Sequence, residues 1–159
     1  MVYVVMGVSG CGKSTVGELL AAELKIPFFD GDDFHPQANI DKMAGGNALN
    51  DDDRQPWLEI LANNIEKWNE DKGAVLACSA LKQKYRDTLN QNQGCTFVFL
   101  AGSKELIRSR MEARDHFMPP ALLDSQFATL EEPQDCIRID ITLSFEQIIA
   151  DIKNKISQE

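Results

Sequence analysis

Residues Gly7-Val8-Ser9-Gly10-Cys11-Gly12-Lys13-Ser14 follow the pattern Gly-x4-Gly-Lys-Ser. They stand between an apolar run, Val2 to Met6, and a segment with helical apolar spacing at Val16, Leu20 and Leu24. An apolar strand, a glycine-rich turn and a helix start in that order constrain the fold more than any other feature of the chain. Glycines let the backbone fold tightly and aim successive N–H groups at a polyphosphate, where the helix dipole also favours an anion. Lys13 adds a cation for the outer phosphates and Ser14 a hydroxyl for magnesium, so residues Gly7, Val8, Ser9, Gly10, Cys11, Gly12, Lys13, Ser14 and Thr15 are expected to hold a nucleoside triphosphate. The dinucleotide fingerprint Gly-x-Gly-x-x-Gly does not fit, because Thr15 occupies the place of its last glycine.

Further apolar runs follow at Ile26 to Phe29, Ala74 to Cys78, Cys95 to Leu100 and Cys136 to Ile141. Helical spacing alternates with them. Trp57, Leu58, Leu61, Ile65 and Trp68 share one helix that opens at Asp51-Asp52-Asp53, and Leu81, Tyr85 and Leu89 recur at intervals of four. Ser103 starts another helix, and Ser144 with Gln147 forms a capping-box start for the last. The alternation predicts an α/β chain with a five-stranded, mostly parallel sheet and helices on both faces. Ligands of such sheets gather at the carboxyl ends of the strands, where Gly7, Asp30, Ser79 and Gly102 are expected.

At 159 residues and 43% hydrophobic composition the chain is expected to form one domain, residues 1–159. No apolar stretch has the length of a membrane span and no basic-flanked leader opens the chain, which predicts a soluble, cytoplasmic protein. With 25 acidic and 16 basic residues the formal net charge is −9, against a general nucleic-acid or anionic-membrane binder. Cations needed for phosphate chemistry must then be gathered locally. Cys78, Cys95 and Cys136 read as buried reduced thiols, while Cys11 sits inside the phosphate loop; if it is exposed, its modification should block nucleotide binding.

Asp30-Gly31-Asp32 closes the second strand at the same edge as the phosphate loop. A carboxylate there can hold hydrated magnesium or accept the proton of an attacking hydroxyl, and its neighbour can bind other hydroxyls. His35, Arg54, Lys82 and Arg86 add polar and cationic groups, Lys82 and Arg86 on one helical face by their spacing. Between Arg110, Arg114 and Phe127 lies a cation-rich, proline-stopped and partly irregular stretch, read as a lid of about 110–127 that closes over phosphates and excludes water.

Taken together, the chain resembles the gluconate kinase family of P-loop sugar-acid kinases. The resemblance rests on Gly7 to Thr15, on Asp30-Gly31-Asp32-Asp33-Phe34-His35-Pro36, on Asp51-Asp52-Asp53-Arg54-Gln55-Pro56-Trp57-Leu58, on Cys78 to Asp87, and on His116-Phe117-Met118-Pro119 with Ser125 to Glu131. It implies a nucleoside-monophosphate-kinase type of sheet in the order 2-3-1-4-5, transfer of the γ-phosphoryl of ATP to the 6-hydroxyl of D-gluconate, magnesium, and a homodimer. Lys13, Asp30, Arg110 and Arg114 are then the expected catalytic residues, Ser14 and Asp30 the magnesium side, and Asp32, His35, Arg54, Lys82, Arg86 and His116 the substrate side. A shikimate-type kinase is the nearest alternative enzyme. A nucleotide-binding regulatory module is the alternative of another class.

Overall fold

A computed structural model describes residues 1–113 and 120–158, with the backbone alone for 120–122. Its elements in chain order are β1 (Val2–Met6), α1 (Lys13–Leu24), β2 (Phe28–Asp30), a 3-10 turn (Gly31–Phe34), α2 (Gln37–Ala44), α3 (Asp51–Glu70) and β3 (Ala74–Ala77). Then come α4 (Gln83–Leu89), β4 (Cys95–Ala101), α5 (Lys104–Ala113), α6 (Pro120–Thr129), β5 (Ile137–Asp140) and α7 (Phe145–Ser157).

The strands form one parallel sheet in the order β2-β3-β1-β4-β5. Strand side chains alternate between its two faces, and each face has its own core. Val5, Val75, Val98, Ile137 and Ile139 meet Val16 and Leu20 of α1, Ile107 of α5, and Ile148 and Ile152 of α7. On the other face Val4, Leu76, Phe97 and Phe99 meet Trp57, Leu58, Leu61 and Ile65 of α3 and Leu89 of α4. Burial on both sides explains why the strands read as continuous apolar runs.

Register is what positions the site. Ala77 of β3 pairs with Val5 of β1 on one side and with Asp30 of β2 on the other. The carboxyl ends of the three strands therefore form one row, and their loops leave the sheet together. The loops are also bonded to each other: Gly7 donates its N–H to the carbonyl of Ser79 at 3.3 Å, and Cys78 donates to Val5 at 3.1 Å.

Helix starts follow local chemistry. Ser144 and Gln147 exchange side-chain-to-backbone bonds of 3.2 and 3.0 Å as expected. The start of α3 carries a second such box, not anticipated: Asn50 accepts from the Asp53 N–H at 2.8 Å, and Asp53 accepts from the Asn50 N–H at 2.9 Å. Two segments differ from expectation. Residues 37–44, expected as part of a long polar stretch, form α2, and Pro120–Thr129, expected in part as irregular chain, is helix α6. Among the described residues no helix is long and apolar enough to cross a membrane.

Asn50→Ala removes the cap of the helix that carries Arg54 and Trp57. Urea unfolding should report a loss of about 1 kcal/mol, the usual worth of an Asn cap.

Candidate active site

Gly10 and Gly12 adopt φ of +83° and +96°, a backbone region that glycine alone enters without strain. A Cβ on Gly10 would lie 2.7 Å from the sulfur of Met111, so α5 leans directly on the loop. Lys13 and Ser14 open α1 with no acidic residue in the first turn. Among the described residues the N–H groups of Gly10, Gly12 and Ser14 find no hydrogen-bond acceptor, while that of Lys13 meets the Cys11 sulfur. Unspent donors at a helix start, beside a lysine, are the composition of an anion cradle.

Asp30 lies in the same row. Its Oδ1 accepts the Asp32 N–H at 3.0 Å and thereby caps the 3-10 turn. Cys78, buried at the end of β3, locates the charges around it. Burial pushes its thiol up to about 12; the Lys13 charge lowers it and the Asp32 and Asp30 charges raise it. Lys13, Asp30 and Asp32 thus share the neighbourhood of this one sulfur.

His35 follows on the 3-10 turn with its side chain only 7% exposed, stacked on the Trp57 ring at 4.3 Å. Trp57 itself donates to the Gly31 carbonyl at 2.8 Å, fixing the turn to α3. The Asn39 amide nitrogen donates to the Asp53 carbonyl at 2.9 Å and reaches His35 Nδ1 at 3.2 Å. With the amide so oriented, Nδ1 of a neutral His35 is the acceptor and Nε2 carries the proton, 3.8 Å from Asp32 Oδ1. Burial lowers the pKa of His35; the Asp32 charge opposes this and the Arg54 charge adds to it. The imidazole is therefore a neutral donor aimed at the side where Asp32 stands.

Arg54 and Lys82 meet at Asp51. Lys82 Nζ lies 3.3 Å from both oxygens of Asp51, Lys84 and the Tyr85 hydroxyl also donate to it, and Arg54 Nη1 stands 3.8 Å away and donates to the Tyr85 oxygen at 3.3 Å. Both Arg54 and Lys82 lie over the Tyr85 ring. The Lys84 and Tyr85 hydrogen bonds hold the Asp51 carboxyl well below the usual carboxylate range. Three cations and a phenol surround a single carboxylate. That is a preformed grip for carboxylates.

Arg86 does not join this cluster, which corrects its expected place on one face with Lys82. Lys82 is the cap residue of α4, with φ −103° and ψ 145°, so its side chain leaves in another direction. Arg86 is 2% exposed, donating to the Ala80 carbonyl and the Glu131 carbonyl at 2.6 Å each and to Gln83 Oε1 at 3.0 Å. It clamps the turn after β3, where Ala80 holds a left-handed φ of +46°, to the chain beyond α6. Cys11 is a second correction: it is 3% exposed, packed beneath Gly7, and burial raises its thiol pKa. Cys95 and Cys136 are the more open cysteines.

Arg110, half-buried in the last turn of α5, acts on Asp140, whose carboxyl is lowered first by the Thr142 N–H and further by Arg110. The expected site residues Arg114 and His116, with residues 114–119 of the expected lid at 110–127, lie outside the described residues. A cavity of about 640 Å³ runs beside β5 between Gly102, Arg138 and Lys155, and none of the expected site residues lines its described wall. Asp51, Tyr85, Asn39 and Trp57 were not anticipated as site residues. Asp51 and Tyr85 are 34 residues apart, and no local pattern announces their bond.

The family model described as shikimate kinase matches residues 9–159. The thermoresistant gluconokinase of Escherichia coli K12 is 44% identical over 158 residues, covering 94% of this chain and 89% of that protein. A crystal structure of a gluconokinase from Sinorhizobium meliloti 1021 superimposes with a TM-score of 0.86 at 42% identity, covering 98% and 91% of the two chains. Shikimate kinase from Aquifex aeolicus reaches 0.61 at 19% identity, covering 99% and 97%, a likeness of fold alone.

Arg86→Met should lower stability by about 3 kcal/mol, because two carbonyls lose a buried cationic donor; urea unfolding measures it. His35 gives a pH signature. Its folded pKa lies below the ordinary value of about 6.5, so the unfolded chain takes up the proton first and stability falls as pH drops from about 6.5 towards the folded value. Urea midpoints at pH 7.5 and 5.5 should differ less in His35→Phe than in the parent chain.

Proposed function

The chain belongs to the gluconokinase family, and from that membership and the geometry of its rim we propose that it is an ATP-dependent gluconokinase, transferring the γ-phosphoryl of ATP to the 6-hydroxyl of D-gluconate to give 6-phospho-D-gluconate and ADP. The observation that carries this reading is the register that ends β1, β3 and β2 in one row, so that the loop leading to Lys13 and the turn holding Asp30 and Asp32 leave the sheet together. A phosphate cradle and a carboxylate base share one edge there, as direct transfer to a hydroxyl needs.

Each component of the substrate finds a matching group. Gluconate carries one carboxylate, for which the Arg54, Lys82, Lys84 and Tyr85 cluster supplies donors, with Asp51 in the part of a resident carboxylate. It carries a row of hydroxyls, for which Asp32 is an acceptor and His35 Nε2–H a donor. The Arg54 charge acts on His35, so the cluster and the Asp32 side belong to one neighbourhood. Asp30 has Oδ1 engaged by Asp32, which orients the group and leaves Oδ2 to accept the proton of the attacking hydroxyl.

The exposed Ser14 hydroxyl fits a hydrated magnesium, which keeps most of its waters and takes phosphate oxygens, and organising those waters is the alternative role of Asp30 to that of base. When bound, that ion neutralises charge on the outer phosphates. Lys13 and Arg110, with Arg114, stabilise the charge of the transferring group, and His116 adds to the substrate side. The remaining parts of the proposal are one catalytic domain over residues 1–159 with a lid at about 110–127, a homodimer, and a cytoplasmic location. The shikimate kinase family model supports a second reading, phosphorylation of shikimate.

ADP release measured with gluconate, shikimate and nucleoside monophosphates separates the readings: gluconate should be turned over and the others should not. Asp30→Asn should cut kcat by about 10²- to 10⁴-fold, the span of a lost general base, with ATP affinity unchanged by calorimetry. Arg54→Ala should raise the KM for gluconate about tenfold or more, the worth of one charged hydrogen bond.

A further inference from the structure

One N–H of the phosphate loop is taken by a side chain from far along the chain. Ser9 donates its backbone N–H to Oε1 of Gln126 at 2.7 Å, and Gln126 Nε2 donates to the Ser9 hydroxyl at 2.9 Å. Ser9 is the third residue of the loop and Gln126 lies 117 positions away on α6. Neighbouring donors of the loop, at Gly10, Gly12 and Ser14, find no acceptor among the described residues. A carboxamide oxygen on a P-loop N–H does what a phosphoryl oxygen does there. It accepts a hydrogen bond from backbone that is otherwise short of acceptors.

The rest of the attachment of α6 is of a different kind. Leu123 is 2% exposed in the core shared with Ile107 of α5, and Asp124 pairs with Lys104 at 3.0 Å and with Arg108 at 3.6 Å. Both ion pairs join exposed side chains and hold little. Among the described residues, Gln126 makes the side-chain hydrogen bonds that join α6 to the phosphate loop. Directly beyond α6, Glu131 donates its N–H to the Leu81 carbonyl at 2.8 Å and gives its own carbonyl to Arg86. α6 therefore spans from the phosphate loop to the turn after β3, whose next residues are Lys82 and Tyr85 of the carboxylate grip.

We propose that Gln126 is a positioning residue that holds the Ser9 N–H in place of a phosphoryl oxygen while the loop is empty, and that an entering triphosphate displaces it and frees α6. This rests on the reading of the loop as a nucleotide site. Nucleotide entry then costs the breaking of the Gln126–Ser9 pair, and α6 carries the news of occupancy towards the substrate side. No covalent step is involved. Gln126 contributes by competition, so its removal strengthens nucleotide binding, opposite to the loss of a ligand-gripping residue.

The test is ATP binding without gluconate, by calorimetry, on the parent chain, Gln126→Met and Gln126→Glu. Met keeps the unbranched stem and cannot accept from Ser9; ATP should bind about fivefold tighter, the equivalent of one neutral hydrogen bond. Glu keeps an acceptor with a charge, holds the N–H more strongly and repels phosphate, so ATP should bind about tenfold or more weaker. Amide exchange in α6 should quicken when ATP binds the parent chain and be already quick in ligand-free Gln126→Met. Weaker or unchanged ATP affinity in folded Gln126→Met, or unchanged exchange in α6 of the parent chain, overturns the proposal and leaves the gluconokinase reading standing. Should Gln126→Met fail to fold, the Glu variant decides: affinity equal to the parent overturns it. A parent chain that does not bind ATP overturns the nucleotide reading and this proposal with it.

Discussion

The pairing of Ala77 with Val5 on one side and Asp30 on the other is the constraint on which the rest depends. In a parallel sheet one residue of slip turns every side chain to the opposite face, so this register fixes the core and the rim at once. With β1, β2 and β3 ending in one row, the phosphate loop, the Asp30 turn and the turn after β3 leave the sheet side by side. The two cores above and below hold that row rigid, and the chemistry sits where the regular structure stops.

Electrostatics at the rim are arranged by neighbours more than by overall charge. A chain with net charge −9 assembles Arg54, Lys82 and Lys84 around Asp51 and places Lys13 near Cys78. His35 is kept neutral by burial, and Asn39 selects its tautomer. The directions of these groups are set by hydrogen bonds inside the protein, so they are ordered before any ligand arrives.

What the sequence disclosed was whatever is encoded locally. The phosphate loop, the five apolar runs and the Ser144–Gln147 box each lie within a few residues of chain, and each is found in place, with strand limits moved by one or two residues. α2 does not rest on an apolar stripe, since Ile40 and Met43 stay exposed; it is held by Asn39 and by Lys42, which reaches Asp53 at 2.5 Å. A spacing of four does not put Lys82 and Arg86 on one helical face, because Lys82 precedes the helix and Arg86 turns inward. Asp51 with Tyr85, and Ser9 with Gln126, are long-range pairs, and a single sequence contains no trace of which distant side chains will meet.

The packing of Cys11 under Gly7 has a practical consequence. A thiol sealed beneath the floor of the loop, with burial resisting its ionisation, reacts with an alkylating reagent only after that floor lifts. Its labelling rate is thus an internal clock for how often the cradle comes apart, built from a native atom and needing no introduced probe.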